Sequence, residues 1–296
     1  MVRMASALSR WTLAALCVAV TAGSLRAQSP RRSFDHEAAF VRYLQDKGLY
    51  SDAVVALDEV NPSVLAPAQR DSFRYLKGWS FYNLKQLDSS AWYLTRVTPS
   101  SVHFPKSSFF GAYNHIYLGD YRLASRVLDR VGTAGDTAEM VSFEKAGMAL
   151  LTKDYDAYDS LSRAFTGKLY AFSAQEKNFG GYRDQLSRIG HKSPFVAGLL
   201  SAVIPGAGKV YAGKPFQGIS SLFPIAALAL LTHESYRKRG PRSAEFYAFG
   251  SLLTVFYVGN IWGSVFTVKI KKREDEQLVR QKVLLDLQIP LRTIFN

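Results

Sequence analysis

Two short patterns in the chain resemble parts of catalytic or nucleotide-binding motifs, and neither is complete. The segment from Gly208 to Lys214 matches most of a phosphate-binding loop, but Pro215 stands where a Ser or Thr would bind magnesium and open the helix. His233 and Glu234 lack the second histidine of a zinc-protease helix. Neither pattern therefore predicts nucleotide hydrolysis or metal-dependent proteolysis.

Other reactive side chains are sparse. Cys17 is the only cysteine and lies in the N-terminal apolar run, so a processed chain has no thiol nucleophile, disulfide or cysteine-ligated metal. No Gly-x-Ser-x-Gly elbow is present. The histidines share no metal-ligand spacing; they are His36, His103, His115, His191 and His233. We therefore expect a protein that is not an enzyme and that needs no metal or other cofactor.

The basic charge is concentrated in the second half of the chain. Residues 28–187 carry 19 Lys and Arg against 18 Asp and Glu, whereas residues 188–296 carry 15 against 6. These cations flank long apolar runs instead of lining a polar face, which is typical of a membrane protein and not of a nucleic-acid binder. The expected partners are a lipid bilayer and other proteins.

The first 27 residues have the features of a secretory signal peptide. Arg3 and Arg10 give a positive start, an apolar stretch of about a dozen residues follows, and Ala27 offers a small residue for cleavage. The alternative is an uncleaved anchor, because Leu25 and Arg26 make an imperfect cleavage site. Either way the chain that follows is expected to be exported.

A unit of about 34 residues recurs within residues 36–187. The segments around Gly48, Gln86, Gly119 and Lys153 align, with Gln86 standing where the others suggest a turn glycine. Three small residues and one tyrosine then occupy one position of the second helix; they are Ala53, Ala91, Ala124 and Tyr158, at offsets of 38, 33 and 34. The pattern resembles the tetratricopeptide repeat, which implies an all-α solenoid of about four helix pairs.

In that family the concave groove of the stack commonly receives a peptide or a partner helix. Lys106, Phe109, Tyr113 and Tyr117 fall at helical spacing on the first helix of the third unit, and we expect them to line the groove. The alternative is that these aromatic residues form the core between units, as an aromatic stripe at helical spacing usually does.

A small membrane domain is expected over residues 193–270. Phe216 to Thr232 and Ala248 to Val268 are long enough to span a bilayer core of about 30 Å, whereas the ten apolar residues from Phe195 to Ile204 are too short to cross as a helix. Residues 271–296 form a basic, amphipathic tail that is suited either to the membrane surface or to packing on the repeats.

The segment from Ser193 to Gly213 reads SPxxAGxLSxxxPGxGxxYxG. It resembles a signature of uncharacterised bacterial membrane proteins that often carry tetratricopeptide repeats ahead of it, and Gly259-Asn260-Ile261-Trp262-Gly263 is similar to the closing motif of the same family. The resemblance implies a bacterial envelope protein and no reaction. The membrane-domain residues of interest are Pro205, Gly206, Gly208, Tyr211, Gly213, Gly259, Asn260 and Gly263.

Gly259 and Gly263 form a GxxxG face that allows close helix approach. Such a face serves either packing within the chain or a homodimer, and both alternatives stay open. Basic residues end both apolar spans, so charge alone does not decide which side each loop occupies. With two spans and an exported repeat domain, the loop at Arg237 to Arg242 would be cytoplasmic and the tail periplasmic.

These observations predict an inner-membrane protein whose periplasmic repeat domain acts as an interaction scaffold for a protein or peptide partner. The alternative is a membrane domain that acts directly in transport or in the insertion and assembly of envelope components, since broken glycine-rich segments also occur at transporter sites.

Overall fold

The computed structural model describes residues 33–132, 136–167 and 170–295. Within these ranges every regular element is helical and no strand is present, in agreement with the all-α expectation. The predicted signal segment, residues 1–27, lies outside the described residues.

The described residues form thirteen α-helices, here numbered in chain order. They are α1 (Phe34–Asp46), α2 (Tyr50–Asp58), α3 (Pro67–Asn83), α4 (Leu87–Leu94), α5 (Phe104–Leu118), α6 (Tyr121–Asp129), α7 (Asp136–Thr152), α8 (Tyr155–Leu161), α9 (Tyr170–Arg188), α10 (Pro194–Val203), α11 (Ala207–Tyr211), α12 (Pro215–Arg239) and α13 (Ala244–Phe295). Two short 3₁₀ turns, Pro62–Val64 and Ser162–Ala164, follow α2 and α8.

The first eight helices form four helix pairs joined by the same turn. Each first helix ends at a residue with positive φ: Gly48 at 75°, Lys85 at 62°, Gly119 at 88° and Lys153 at 61°. In all four turns the next N–H donates to the carbonyl five residues earlier, at 2.8 to 3.0 Å. This hydrogen bond satisfies a carbonyl that the helix end would leave free. The turns recur after 37, 34 and 34 residues.

The turn geometry shifts the register that the sequence suggested for the second unit. Its left-handed residue is Lys85, not Gln86, so the residue equivalent to Ala53 is Ser90 and not Ala91. Ser90 is fully buried, and its hydroxyl donates to the Gly78 carbonyl at 2.8 Å. A small side chain is therefore kept at the contact between the two helices of the unit, with a hydroxyl in place of a methyl group.

Two apolar cores support this part of the chain. The smaller one joins the first two units and contains Val41, Leu57 and Leu76, all 1% exposed or less. The larger one joins the second, third and fourth units to α9, and it also contains residues of α13. The repeat region is therefore completed by a helix that lies more than a hundred residues further along the chain.

Helix α13 runs without interruption for 52 residues, about 78 Å. Its first half contains the predicted apolar span from Ala248 to Val268, and its second half contains the predicted tail. The expected boundary at residue 271 does not coincide with a break in the helix. Of the two locations considered for the tail, the structure has it packed on the repeats.

The contact between α13 and the repeats is closely packed. Val279, Val283, Leu287 and Leu291 recur every fourth residue on one face of α13 and are 0–2% exposed. Gly147 on α7 lies so close to this face that an added Cβ would stand 2.5 Å from a methyl carbon of Leu287. The glycine therefore allows two helices to approach at the centre of the larger core.

Replacing Leu287 by alanine should lower the free energy of unfolding by roughly 2–5 kcal/mol, since a fully buried leucine leaves both lost burial and a cavity. Leu285→Ala is the matched control, because Leu285 lies on the same helix and is 55% exposed. Its effect should stay within about 0.5 kcal/mol. Thermal or denaturant unfolding of the full chain in detergent measures both, and equal effects would contradict the docking of α13.

Candidate functional site

The C-terminal end of α13 occupies the surface that the sequence analysis assigned to a partner. Lys106 donates from Nζ to the Phe295 carbonyl at 2.8 Å, and the rings of Phe109 and Phe295 lie 5.8 Å apart. Gln288 donates from Nε2 to the hydroxyl of Tyr82 on α3. The first helices of the second and third units thus already hold a helix, and that helix belongs to the same chain.

Two polar contacts fix the position of α13 along the repeats. Asp286 is buried and accepts hydrogen bonds from Asn178 Nδ2 at 3.0 Å and from the Tyr182 hydroxyl at 2.8 Å. Burial, together with this bond to Asp286, raises the pKa of Tyr182 to about 12. Arg280 donates to the Tyr121 hydroxyl at 2.7 Å. These bonds lie on both sides of the apolar face and define one register for the helix.

The four predicted groove residues have different environments. Phe109 and Tyr113 are buried in the larger core, 1% and 4% exposed. Lys106 is half-buried beside Phe295, and Tyr117 is 50% exposed, with its carbonyl accepting from Arg280. The two alternatives considered for these residues therefore coincide in part, because the core they enter includes the helix that lies against the groove.

Beyond Phe295 the first helices leave a partly exposed surface, which we call the aromatic surface: Arg42, Tyr75, Trp79, His103 and Lys106. The rings of Tyr75 and His103 stack at 4.2 Å, and the Lys106 ammonium lies 4.2 Å from the centroid of Trp79. The sequence analysis had singled out only Lys106 on this surface. The i, i+4 spacing of Tyr75 and Trp79 on α3 was the signal that could have identified the rest.

The charge of the aromatic surface follows from its burial. Burial first, and then the positive Arg42 and Lys106, lower the pKa of His103. Burial also lowers the pKa of Lys106 and raises the pKa of Tyr75 to about 12. At neutral pH the surface therefore combines neutral rings with two cations. Such a surface suits a partner segment that presents apolar and acidic side chains.

A second candidate site is the hairpin formed by α10 and α11, which carries the PGxG motif. The chain reverses at Pro205 and Gly206, where Gly206 has φ 88°. The N–H of Ser193, at the start of α10, donates to the hydroxyl of Tyr211, at the end of α11, at 3.1 Å. The hairpin therefore begins and ends at the same level, as expected of a segment that enters the membrane domain without crossing it.

The glycines of the motif are required by close backbone contacts. A Cβ on Gly208 would lie 1.9 Å from the Ala197 carbonyl oxygen, and one on Gly206 would lie 2.1 Å from the Gly218 carbonyl oxygen. Gly213 has φ 93°, a conformation that other residues rarely adopt. The motif thus allows α10, α11 and α12 to touch through their backbones.

Hydroxyl groups connect the hairpin to α13. The Gly208 N–H donates to Ser201 Oγ at 2.9 Å, Ser201 Oγ lies 2.7 Å from Ser264 Oγ, and Ser264 donates to the Asn260 carbonyl at 2.9 Å. The Gly208 amide is therefore already satisfied and is not available to a phosphate. Lys214 forms an ion pair with Glu274 at 2.9 Å. The resemblance to a phosphate-binding loop has no support in this geometry.

The two glycines of the GxxxG face differ. Gly263 is covered by the side chain of Lys209, whose Cε would lie 3.6 Å from an added Cβ, whereas nothing lies within 4 Å of that position on Gly259. The face of α13 that packs within the chain carries Asn260 and Ser264. Gly259 is exposed, and a homodimer through Gly259 and Gly263 remains a prediction.

The repeat core contains one ionisable group without a partner. Glu144 on α7 is fully buried, and neither carboxylate oxygen has a hydrogen-bond partner among the described residues. Burial raises the pKa of Glu144 well above 4.5. It lies one turn before Gly147, near Tyr113, whose pKa it helps to raise. Glu144 is therefore protonated at neutral pH in the folded chain.

The described residues contain no group of three or more His, Cys, Asp or Glu side chains placed to hold a metal ion. Helices α12 and α13 are long and apolar enough to cross a membrane. Comparison with protein-family models, with curated proteins and with solved structures finds no match to this chain.

Replacing Gly208 by alanine should destabilise the membrane domain by roughly 1–3 kcal/mol or more, because the new methyl group would overlap the Ala197 carbonyl. Gly259→Ala is the matched control, since its methyl group meets open space. Thermal unfolding of each purified variant in detergent tests the difference. A Gly208→Ala protein as stable as Gly259→Ala would show that the hairpin is not packed as described.

Replacing Glu144 by glutamine should stabilise the chain increasingly as pH rises. Above about pH 4.5 the unfolded carboxyl releases its proton while the folded carboxyl retains it, so the wild-type stability falls with pH and that of the variant does not. Unfolding at about pH 4 and about pH 8 measures this, with the exposed Glu59→Gln as control. A stability difference that does not change with pH would contradict the buried position of Glu144.

Proposed function

We propose that the chain is a membrane-anchored interaction scaffold, with the aromatic surface as the binding site for a partner protein. The observation that carries this proposal is the position of α13: the first helices of the second and third units hold an amphipathic helix and continue beyond its end as a partly exposed surface. A surface of stacked rings and two cations has the composition of an interaction hot spot. The partner segment would be acidic and partly apolar.

The repeating turns support a tetratricopeptide-like architecture for the scaffold. Four helix pairs, spaced 37, 34 and 34 residues apart at their turns, agree with a period of about 34. Solenoids of this kind bind through the faces of their first helices. The same faces carry Tyr75, Trp79 and Lys106 here.

The membrane location is supported by the exposure of the apolar helices. Only 11% of the apolar window of α12 and 22% of that of α13 are buried. Large contiguous apolar surfaces of this kind are rare on monomeric soluble proteins, and lipid would cover them. The signature motif and the predicted signal segment agree with an inner-membrane protein in the bacterial envelope.

The same contacts support a topology with two spans. The C-terminal half of α13 packs on the repeats, so both lie on one side of the membrane, and the turn at residues 240–243 lies on the other. The hairpin of α10 and α11 adds no crossing, because Ser193 and Tyr211 lie together. With an exported repeat domain, the C-terminal end is periplasmic and the basic loop around Arg237 is cytoplasmic.

A single cysteine at position 282 should react with a membrane-impermeant maleimide in intact spheroplasts, and one at position 243 should not. Lys282 is exposed on the repeat side of α13, and Ser243 lies in the turn on the other side. A Cys17→Ala background removes the one native thiol. Labelling at 243 and not at 282 would overturn the proposed orientation.

A photo-crosslinking amino acid at Trp79 should capture a protein partner in the native cells, whereas the same amino acid at Trp92 should not. Trp92 is the matched control, because it is exposed on α4, on the face opposite the aromatic surface. Arg42→Glu should weaken the adduct at position 79 by reversing a charge that attracts the partner. No adduct at 79, or equal adducts at both positions, would contradict the scaffold proposal.

One observation favours the alternative that the membrane domain acts directly. Asn260 is 5% exposed within α13, and neither atom of its side-chain amide has a partner among the described residues. Buried polar groups inside membranes are often functional. An Asn260→Val protein of normal level and normal adduct at position 79 that fails to complement a deletion strain would favour this alternative over the scaffold.

A further inference from the structure

A basic cleft of about 290 Å³ lies where α9, the hairpin and α13 meet. Its cationic side chains are Arg188 at the end of α9, Lys192 in the loop before α10, and Lys271 and Lys272 on α13. Asp275 is the one carboxylate that lines it. The cleft is therefore strongly positive, and it lies outside both the aromatic surface and the PGxG motif.

The charge of the cleft is only partly neutralised by the chain itself. Lys271 pairs with Asp275 at 2.7 Å, but Arg188, Lys192 and Lys272 have no carboxylate partner within the described ranges. Lys192 lies over the ring of Tyr211 at 5.8 Å, which orients its ammonium without neutralising it. Three converging cations are thus left for an anion from outside.

Two glycines bring the backbone close to these cations. Gly190 has φ 108°, and a Cβ there would lie 3.3 Å from the Lys272 ammonium; Gly213 has φ 93°, and a Cβ there would lie 3.6 Å from the Lys192 ammonium. Without side chains at these positions, space remains beside both ammonium groups. A phosphate-sized group can therefore approach Lys192 and Lys272 at the rim of the cleft.

The cleft lies at the level where lipid headgroups are found. Val268, the last residue of the apolar span in α13, forms part of its wall together with Ile189 and Ala212. Pro194, the first residue of α10, follows Lys192 by two positions. The wall is thus apolar where it faces the spans and cationic where it faces the repeats.

We propose that this cleft binds the headgroup phosphate of an anionic phospholipid in the leaflet that faces the repeats. The cations attract the phosphate, and the apolar wall receives the beginning of the acyl chains. Basic clefts between membrane helices bind anionic headgroups in this way. A phospholipid fits better than free phosphate because the wall at Val268 would gain nothing from an inorganic ion. The site does not depend on whether the aromatic surface binds a partner.

The test measures lipid binding to the full-length protein in mild detergent by native mass spectrometry. Phosphatidylglycerol should bind more tightly than phosphatidylcholine, and inorganic phosphate should compete poorly. The Arg188→Gln, Lys192→Gln, Lys272→Gln triple variant should lose affinity for phosphatidylglycerol on the order of 100-fold, at about fivefold for each charge. Lys272→Gln alone, expected to lose about fivefold, provides the measurement if the triple variant does not fold.

The matched control removes the same charge from the loop at the other end of the spans, as Arg237→Gln, Lys238→Gln, Arg242→Gln. It should bind phosphatidylglycerol as the wild type does. Equal losses in both triple variants, equal binding of phosphatidylcholine, or competition by inorganic phosphate at the same affinity would each overturn the proposal. The last result would identify a site for free phosphate instead.

Discussion

The burial of the last turns of α13 against the repeats is the interaction on which the rest of this structure depends. Val279, Val283, Leu287 and Leu291 leave solvent together, and full burial of such side chains contributes roughly 1.5–3 kcal/mol each. Because α13 is one continuous helix, this contact links the repeat domain to the membrane domain. It also requires the C-terminal end to lie on the same side as the repeats, and so determines the topology.

The same contact defines what a partner can reach. The end of α13 covers the first helices of the third and fourth units, and the aromatic surface begins where Phe295 ends. A partner at Trp79 would therefore touch both the repeats and the end of a helix that continues into the membrane. Asp286 and Arg280 hold that helix in one register, so the position of Phe295 beside Lys106 is fixed by contacts far from the surface itself.

Much of this architecture was predictable from the sequence. The recurrence of Gly48 and Gly119 indicated the helix pairs, and the lengths of the apolar runs indicated α12 and the span in α13. Lys85 and Lys153 concealed two of the four turns, since left-handed lysines have no sequence signal, and the register of the second unit was therefore displaced by one residue. The pattern Val279, Val283, Leu287, Leu291 predicted an amphipathic helix but not its partner, because an apolar face fits lipid and protein equally well.

The most direct test of the account is a disulfide between positions 147 and 287 of the full-length protein. A Cβ at 147 lies 3.0 Å from Leu287 Cγ, which brings the two Cβ atoms within disulfide reach. With Cys17→Ala and a protease site in the turn at residues 240–243, oxidised Gly147→Cys, Leu287→Cys protein should stay in one piece after cleavage on a non-reducing denaturing gel. The Gly147→Cys, Leu285→Cys control should separate into two fragments. Separation of the 147–287 pair under the same oxidation would contradict the docking of α13 on the repeats.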